Sequence, residues 1–211
     1  MKYIIMCGGT YTKWKQPKQL TEINGEPLVA RTIRLLKKNG VRDIAISSHD
    51  ERFEQFGVPV LKHENPFVVD RDRTTSGCWY DAFYPTDEPA CYLLGDVYFS
   101  NWAVDVIVNT KVKHIELFAS APPFAPEYPK KWAEPFALKV MDQELLRAGI
   151  DTVRELDSQG AFHRNPIMWE LWTCITGGEI NTIDYSSYHA VNDYTCDIDE
   201  AGDIERVRGY E

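Results

Sequence analysis

Four short stretches of this chain hold residue types suited to binding phosphate groups or metal ions, each beside an element end. The first is Gly8-Gly9-Thr10-Tyr11-Thr12-Lys13-Trp14-Lys15-Gln16-Pro17-Lys18-Gln19-Leu20. A glycine pair lets backbone N–H groups approach phosphate oxygens closely, and the lysines bring the charge that a triphosphate needs. The spacing is not a Walker loop, because no Gly-Lys-Ser/Thr follows, and it lacks the later glycines of a dinucleotide fingerprint. Taken alone, the glycine pair fits a plain tight turn as well.

The second stretch is Tyr92-Leu93-Leu94-Gly95-Asp96-Val97-Tyr98-Phe99. A carboxylate just past a buried strand sits at the sheet edge where open α/β folds place ligands, and a hard oxygen there can hold Mg²⁺. The third is Asn192-Asp193-Tyr194-Thr195-Cys196-Asp197-Ile198-Asp199. If it ends a strand, alternation puts Asp197 and Asp199 on one side, where both can share a cation with Asp96. The other reading is an Asp-rich helix start, whose acidic side chains cap N–H groups. The fourth, Thr74-Thr75-Ser76-Gly77, is a small-residue turn before a helix, and a helix cap explains it equally well.

The elements that must position these residues follow from hydrophobic pattern. Tyr3 to Cys7 reads as a strand buried on both faces, ending abruptly at Gly8. Asn24-Gly25 and Pro27 open a helix whose apolar face is Leu28, Val29, Thr32, Ile33 and Leu36, stopped by Asn39-Gly40. Strands are expected at Ile44 to Ser47, Val58 to Leu61, Cys91 to Leu94, Ile115 to Ala119, Phe136 to Val140 and Ile180 to Tyr185. Helices are expected at Glu51 to Phe56, Ser76 to Tyr84, Trp102 to Asn109, Gln143 to Ala148, Ile167 to Thr176 and Asp203 to Arg208. The alternation means βαβ units and a mainly parallel sheet, turning mixed after the Pro-rich stretch from Ala121 to Tyr128.

Length and composition bound the function. At roughly 100 to 200 residues per domain, 211 residues make one sizeable domain. The 44% apolar and 26% charged residues exclude disorder, collagen-like repeats and coiled coil as descriptions of the whole chain. No stretch reaches the ~18 uncharged apolar residues of a membrane span, and the N-terminal apolar run is short for a signal peptide, so a cytoplasmic protein is expected. The five cysteines contain no C-x-x-C pair and the histidines show no zinc spacing, against a disulfide framework or a zinc site. Met1 to Lys38 carries eight basic and two acidic residues although the whole chain has a net charge of −9. That split argues against a general nucleic-acid binder and suits a small polyanion held at one place.

Gly9, Thr12, Lys13, Pro17, Lys18 and Leu20, followed by Asn24-Gly25-Glu26-Pro27-Leu28, resemble the signature of the nucleotidyltransferases that make activated sugars and alcohols. This is the sugar-nucleotide pyrophosphorylase and MobA-like group, and its small cytidylyltransferases are the branch most similar in length and ending. Two departures stand out: Tyr11 where the family has Gly, and Lys13 where it has Arg, which keeps the charge and loses the bidentate fork. The resemblance implies a single Rossmann-like, GT-A-like α/β domain. Its NTP-binding half would be residues 1–110, its acceptor-binding half 111–190 and its closing metal-ligand segment 191–211. It also implies a reaction, transfer of a nucleoside monophosphate from an NTP, with CTP preferred, to a phosphorylated small molecule with release of pyrophosphate. Lys18 and Lys13 are then the catalytic lysines, and Cys7, Gly8, Gly9, Thr10, Tyr11, Thr12, Ser76 and Gly77 the nucleotide contacts. Asp96 with Asp197 or Asp199 would hold Mg²⁺. For the acceptor phosphate, Lys139 and Arg164 are the candidates, because His163-Arg164-Asn165 follows Gly160 in an expected exposed loop and an arginine there can meet a phosphate in bidentate fashion. The rival readings are a metal-dependent GT-A-type glycosyltransferase, for which Asp197-Ile198-Asp199 has the D-x-D form, and a nucleotide-binding module without turnover.

Overall fold

The computed structural model describes residues 1–8, 14, 16–62, 82–124, 127–128 and 130–210. Its centre is a seven-stranded sheet in the order β10-β8-β9-β6-β1-β4-β5. Strand β1 (Lys2–Met6) pairs in parallel with β4 (Ile44–Ser47) and β6 (Ala90–Leu94), and β4 pairs in parallel with β5 (Val60–Leu61). The sheet turns mixed at β9 (Pro135–Val140), which runs antiparallel to both β6 and β8 (Ile115–Ala119), while β10 (His189–Ala190) returns parallel to β8. The mixed character expected after the Pro-rich stretch is found.

From Tyr3 to Met6 β1 is apolar, because both of its faces are covered there. Tyr3, Ile5 and Cys7 pack with Val29, Ile33 and Leu36 of α1 (Leu28–Lys38) and with Ala103, Val104 and Ile107 of α2 (Asn101–Asn109). Ile4 and Met6 face the other way, into a core with Leu146, Ile150 and Val153 of α3 (Gln143–Ser158) and with Met168, Trp169, Leu171 and Trp172 of α4 (Met168–Thr176). The result is a single α/β domain with helices on both sheet faces. A third, smaller core of Ile23, Leu28, Tyr98, Cys196, Ile198 and Val207 sits apart from these two. It joins the hairpin of β2 (Glu22–Ile23) and β3 (Glu26–Pro27), the two-stranded ribbon of β7 (Val97–Tyr98) and β11 (Cys196–Asp197), and the last helix α5 (Ala201–Val207).

One expectation needs correction. Residues 180–185 do not form a strand. Asn181 adopts a left-handed backbone (φ 65°), and its side chain accepts from His163 N and donates to Ala161 O, so this run is folded into a turn. The short helix expected at Glu51 to Phe56 is found as a 3₁₀ helix, started by the Asp50 side chain, which accepts from Arg52 N, and stopped by Gly57 in the left-handed region. The helix expected at Ser76 to Tyr84 falls mostly outside the described residues.

Candidate active site

β1 and β6 are parallel neighbours in register, with Met6 opposite Leu94, so the chain leaves both strands side by side at one sheet edge. Gly95 N donates to Met6 O at 3.0 Å. A Cβ on Gly95 would lie 2.4 Å from Met6 O and 2.8 Å from Cys7 Sγ, so only glycine lets the β6 end come this close before Asp96 turns out. The loop after β1 returns across the same edge. A 3₁₀ turn at Lys18–Leu20 buries Gln19 against Gly95 and leaves Lys18 facing Asp96.

The closing segment arrives from the far end of the chain. β11 pairs antiparallel with β7, Asp197 opposite Val97, and Ile198 N donates to Asp96 O at 3.0 Å. Ile198 is fully buried in the third core, so Asp197 and Asp199 both fall on the side facing Lys18. Lys18 Nζ lies 2.7 Å from Asp96 Oδ2, 2.9 Å from Asp199 Oδ1 and 4.0 Å from Asp197 Oδ1. The helix-start reading of this segment holds in part. The N–H groups of Asp199 and Glu200 are capped, yet by Asp203 Oδ2, which frees the Asp199 carboxylate for Lys18.

Charge crowding sets the protonation of this cluster. Burial works against the Lys18 charge, but Asp96 and Asp197 outweigh it and hold the ammonium above the ordinary lysine range. The Asp197 carboxyl is pushed well above the usual range, first by burial and then by the Asp96 charge, with Lys18 opposing. Its Oδ1 is buried and makes no hydrogen bond. Among the described residues no group of three His, Cys, Asp or Glu side chains is already arranged around a metal position. The Lys18 ammonium stands between the carboxylates instead. The donor set is nonetheless all carboxylate oxygen, one of them orphaned, and that fits a hard divalent cation such as Mg²⁺.

Lys130 and Glu134 brace this cluster. Lys130 donates to Glu134 Oε2 at 2.9 Å and to Thr195 O, and Glu134 Oε2 accepts from Asp197 N at 3.3 Å. The side chains of Lys130 and Glu134 are nearly buried, and together they fasten β11, which has only two residues of its own. Their i,i+4 spacing carries no signal because no helix surrounds it.

Among the other expected residues, Cys7 is buried, donates through its N–H to Ser47 O and accepts at its carbonyl from Ser48 Oγ. Its thiol is pushed far up by burial and then by Asp96, which removes it as a nucleophile. Gly8 follows at the strand end, whereas Gly9, Thr10, Tyr11, Thr12, Lys13, Ser76 and Gly77 lie outside the described residues. Lys139 is a correction. It is 5% exposed, and its ammonium donates to Ile107 O, Val108 O and Thr110 O at 2.8 to 3.0 Å. These carbonyls close α2, whose C-terminal oxygens have no partners within the helix, so Lys139 caps a helix rather than facing the cluster. Arg164 Nε donates to Glu170 Oε1 at 2.7 Å from a half-exposed side chain. α3 begins near Glu88, at the start of β6, and packs with α4, and Arg164 lies in the loop between the two helices. Of the aromatic residues between 111 and 190, Phe136, Trp169, Trp172 and Tyr188 are core, while Trp132 and Tyr185 are exposed.

A model of the MobA-like NTP transferase domain matches residues 3–148, well over half of the chain. The chain belongs to this family. It is therefore a nucleotidyltransferase, and the family assignment favours that reading over a glycosyltransferase. No curated protein sequence matches it. Solved structures share its fold at low identity. A CTP:phosphocholine cytidylyltransferase from Streptococcus pneumoniae superposes with a TM-score of 0.55 at 15% identity, covering 99% of this chain and 97% of that one. An inositol-1-phosphate CTP transferase from T. maritima gives 0.54 at 16%, with coverage of 97% and 94%. A protein of Bacillus anthracis described as a glucose-1-phosphate thymidylyltransferase gives 0.57 at 16%, with coverage of 99% and 94%. No helix among the described residues is long and apolar enough to cross a membrane.

Proposed function

We propose that this nucleotidyltransferase transfers a nucleoside monophosphate from an NTP, CTP first among the four, to a phosphorylated sugar or alcohol. The observation that carries the reading is the convergence of Lys18 with Asp96, Asp197 and Asp199 at the edge where β1 and β6 end. An oxygen of the acceptor phosphate attacks the α-phosphorus in line, the bond from that phosphorus to the bridging oxygen breaks, and pyrophosphate leaves. The acceptor is already ionised, so no general base is needed, and catalysis rests on alignment and neutralisation of charge. Asp96 and Asp197, with Asp199 beside them, would hold Mg²⁺, which when bound neutralises phosphate charge.

The residues of the chain do the rest. Lys18, released from the carboxylates as nucleotide binds, meets phosphate oxygens, and Lys13 joins it from the glycine loop with Gly8 to Thr12 around the triphosphate. Ser76 and Gly77 are the proposed base contacts. Arg164 takes the acceptor phosphate with its Nη groups while Glu170 fixes its Nε. The preference for CTP is supported by the Asp197-Ile198-Asp199 element and by the two CTP-using enzymes among the structural relatives. The test is pyrophosphate release from each of the four NTPs against phosphocholine, inositol phosphate and sugar phosphates with Mg²⁺ present. One NTP and acceptor pair turning over well above the rest supports the reading; no release with any pair sinks it.

A further inference from the structure

Away from the aspartate cluster, the β2–β3 hairpin, α1 and the start of α2 enclose a groove of about 410 Å³. Arg31, Arg34, Lys38, Glu26, Asn24 and Asn101 line it, and none of them belongs to the site described above. Arg31, Arg34 and Lys38 stand at helical spacing on one face of α1. Arg34 is occupied, its Nε and Nη2 on the two Glu26 oxygens at 2.8 and 2.6 Å. Arg31 is different. It is 7% exposed, its Nε donates to Phe99 O at 3.0 Å, and its guanidinium lies 4.2 Å over the Tyr98 ring. Its Nη groups meet no acceptor, and neither it nor the exposed Lys38 has a carboxylate partner, among the described residues.

Among the described residues the buried side-chain polar atoms without a partner are Gln19 Oε1 and Asp197 Oδ1, so the unbonded Arg31 Nη groups are open to solvent and can donate to an anion in the groove. One positive charge is cancelled in the groove and two remain, on a chain whose net charge is −9. A dianionic phosphate matches both charges at once, and a monocarboxylate does not. We propose that this groove is a second binding site, for the phosphate group of a small phosphorylated molecule, with Arg31 donating through its Nη groups and Lys38 supplying the other charge. The volume leaves room for an organic portion of sugar size beside the phosphate. The Arg31 contacts, Tyr98 and Phe99, lie on and just after β7, the strand paired with the one that carries Asp197.

The test is an amide chemical-shift titration of the full chain at low ionic strength with inorganic phosphate, with ribose 5-phosphate and with acetate. The amides of Asn24, Arg31, Arg34, Lys38 and Asn101 should move together, with one Kd, for the two phosphates and not for acetate. Tighter binding of ribose 5-phosphate identifies the ligand as an ester, and equal binding identifies it as free phosphate. Lys38→Glu, an exposed change that the fold tolerates, should weaken this Kd at least about tenfold, whereas Arg31→Lys should weaken it less. Shifts at Gly95 and Asp96, which report phosphate at the aspartate cluster, should not respond to Lys38→Glu. Groove amides that stay still, that move equally with acetate, or whose Kd is unchanged in Lys38→Glu would overturn the proposal.

Discussion

Lys18 Nζ lies 2.7 Å from Asp96 Oδ2, although the two residues come from separate loops of the sheet edge. The ammonium therefore stands where the carboxylates would otherwise receive a divalent cation, and the two compete. Replacing Lys18 by Met removes the competitor and leaves three carboxylates crowded together. The Lys18→Met protein should be less stable than the natural chain in EDTA and should gain more from added Mg²⁺, seen as a larger rise in Tm. Equal Mg²⁺ responses would mean that the cluster does not take a metal.

In turnover, Lys18→Ala should lower kcat by about 100- to 1,000-fold and change the KM for NTP only a few-fold, because the lysine acts on charge that develops in the transition state. Lys15→Ala, in the same basic loop, is the control and should cost little. Equal losses in the two variants would reduce the loop to a diffuse electrostatic attractor.

The raised Asp197 carboxyl gives a pH dependence of known sign. An unfolded carboxyl titrates near 4, and the folded one above that, chiefly because of burial and then the Asp96 charge. Between those values the folded chain holds a proton that the unfolded chain has released, so stability falls as pH rises through the window. The contribution is full below about pH 4 and lost once the pH passes the raised folded value. Asp197→Asn should flatten this slope in EDTA and stabilise the protein at pH 7 by about 1 kcal/mol, while abolishing turnover. Thermal unfolding of both proteins across pH is the measurement; an Asn variant that is less stable at pH 7 contradicts the account.

How far the sequence reaches can be judged residue by residue. Strands β1, β4 and β6 were legible because both sheet faces are covered, which makes Tyr3 to Cys7, Ile44 to Ile46 and Cys91 to Leu94 unbroken apolar runs, and β8 was legible from its apolar end, Leu117 to Ala119. Asp96, Asp197 and Lys18 were legible because each sits beside a local signal: a glycine after a strand, an Asp-Ile-Asp alternation, a Pro-Lys pair. Lys139 was not, since a lysine inside an apolar strand gives no local sign that three carbonyls of a distant helix will surround it. Nor was the Lys130 and Glu134 brace, whose partner Asp197 lies 63 residues away from Glu134.

Lys139→Met therefore makes a direct contrast with its sequence expectation. It leaves three carbonyls at the end of α2 without a donor and should cost about 2 to 4 kcal/mol of stability. The KM for the acceptor should stay unchanged at temperatures where the variant is folded. A raised acceptor KM with unchanged Tm would return Lys139 to the acceptor site.

The central claim is that the chain moves the α-phosphate of an NTP onto a phosphorylated acceptor with the aspartate cluster engaged. Its most direct test follows [α-³²P]CTP, or whichever NTP is preferred, with the best acceptor, measuring labelled product and pyrophosphate together. The account predicts one labelled product per pyrophosphate released, dependence on Mg²⁺ that EDTA abolishes, and no product with a folded Asp96→Ala variant. Label appearing only as free nucleotide, or Asp96→Ala turning over as the natural protein does, would contradict it.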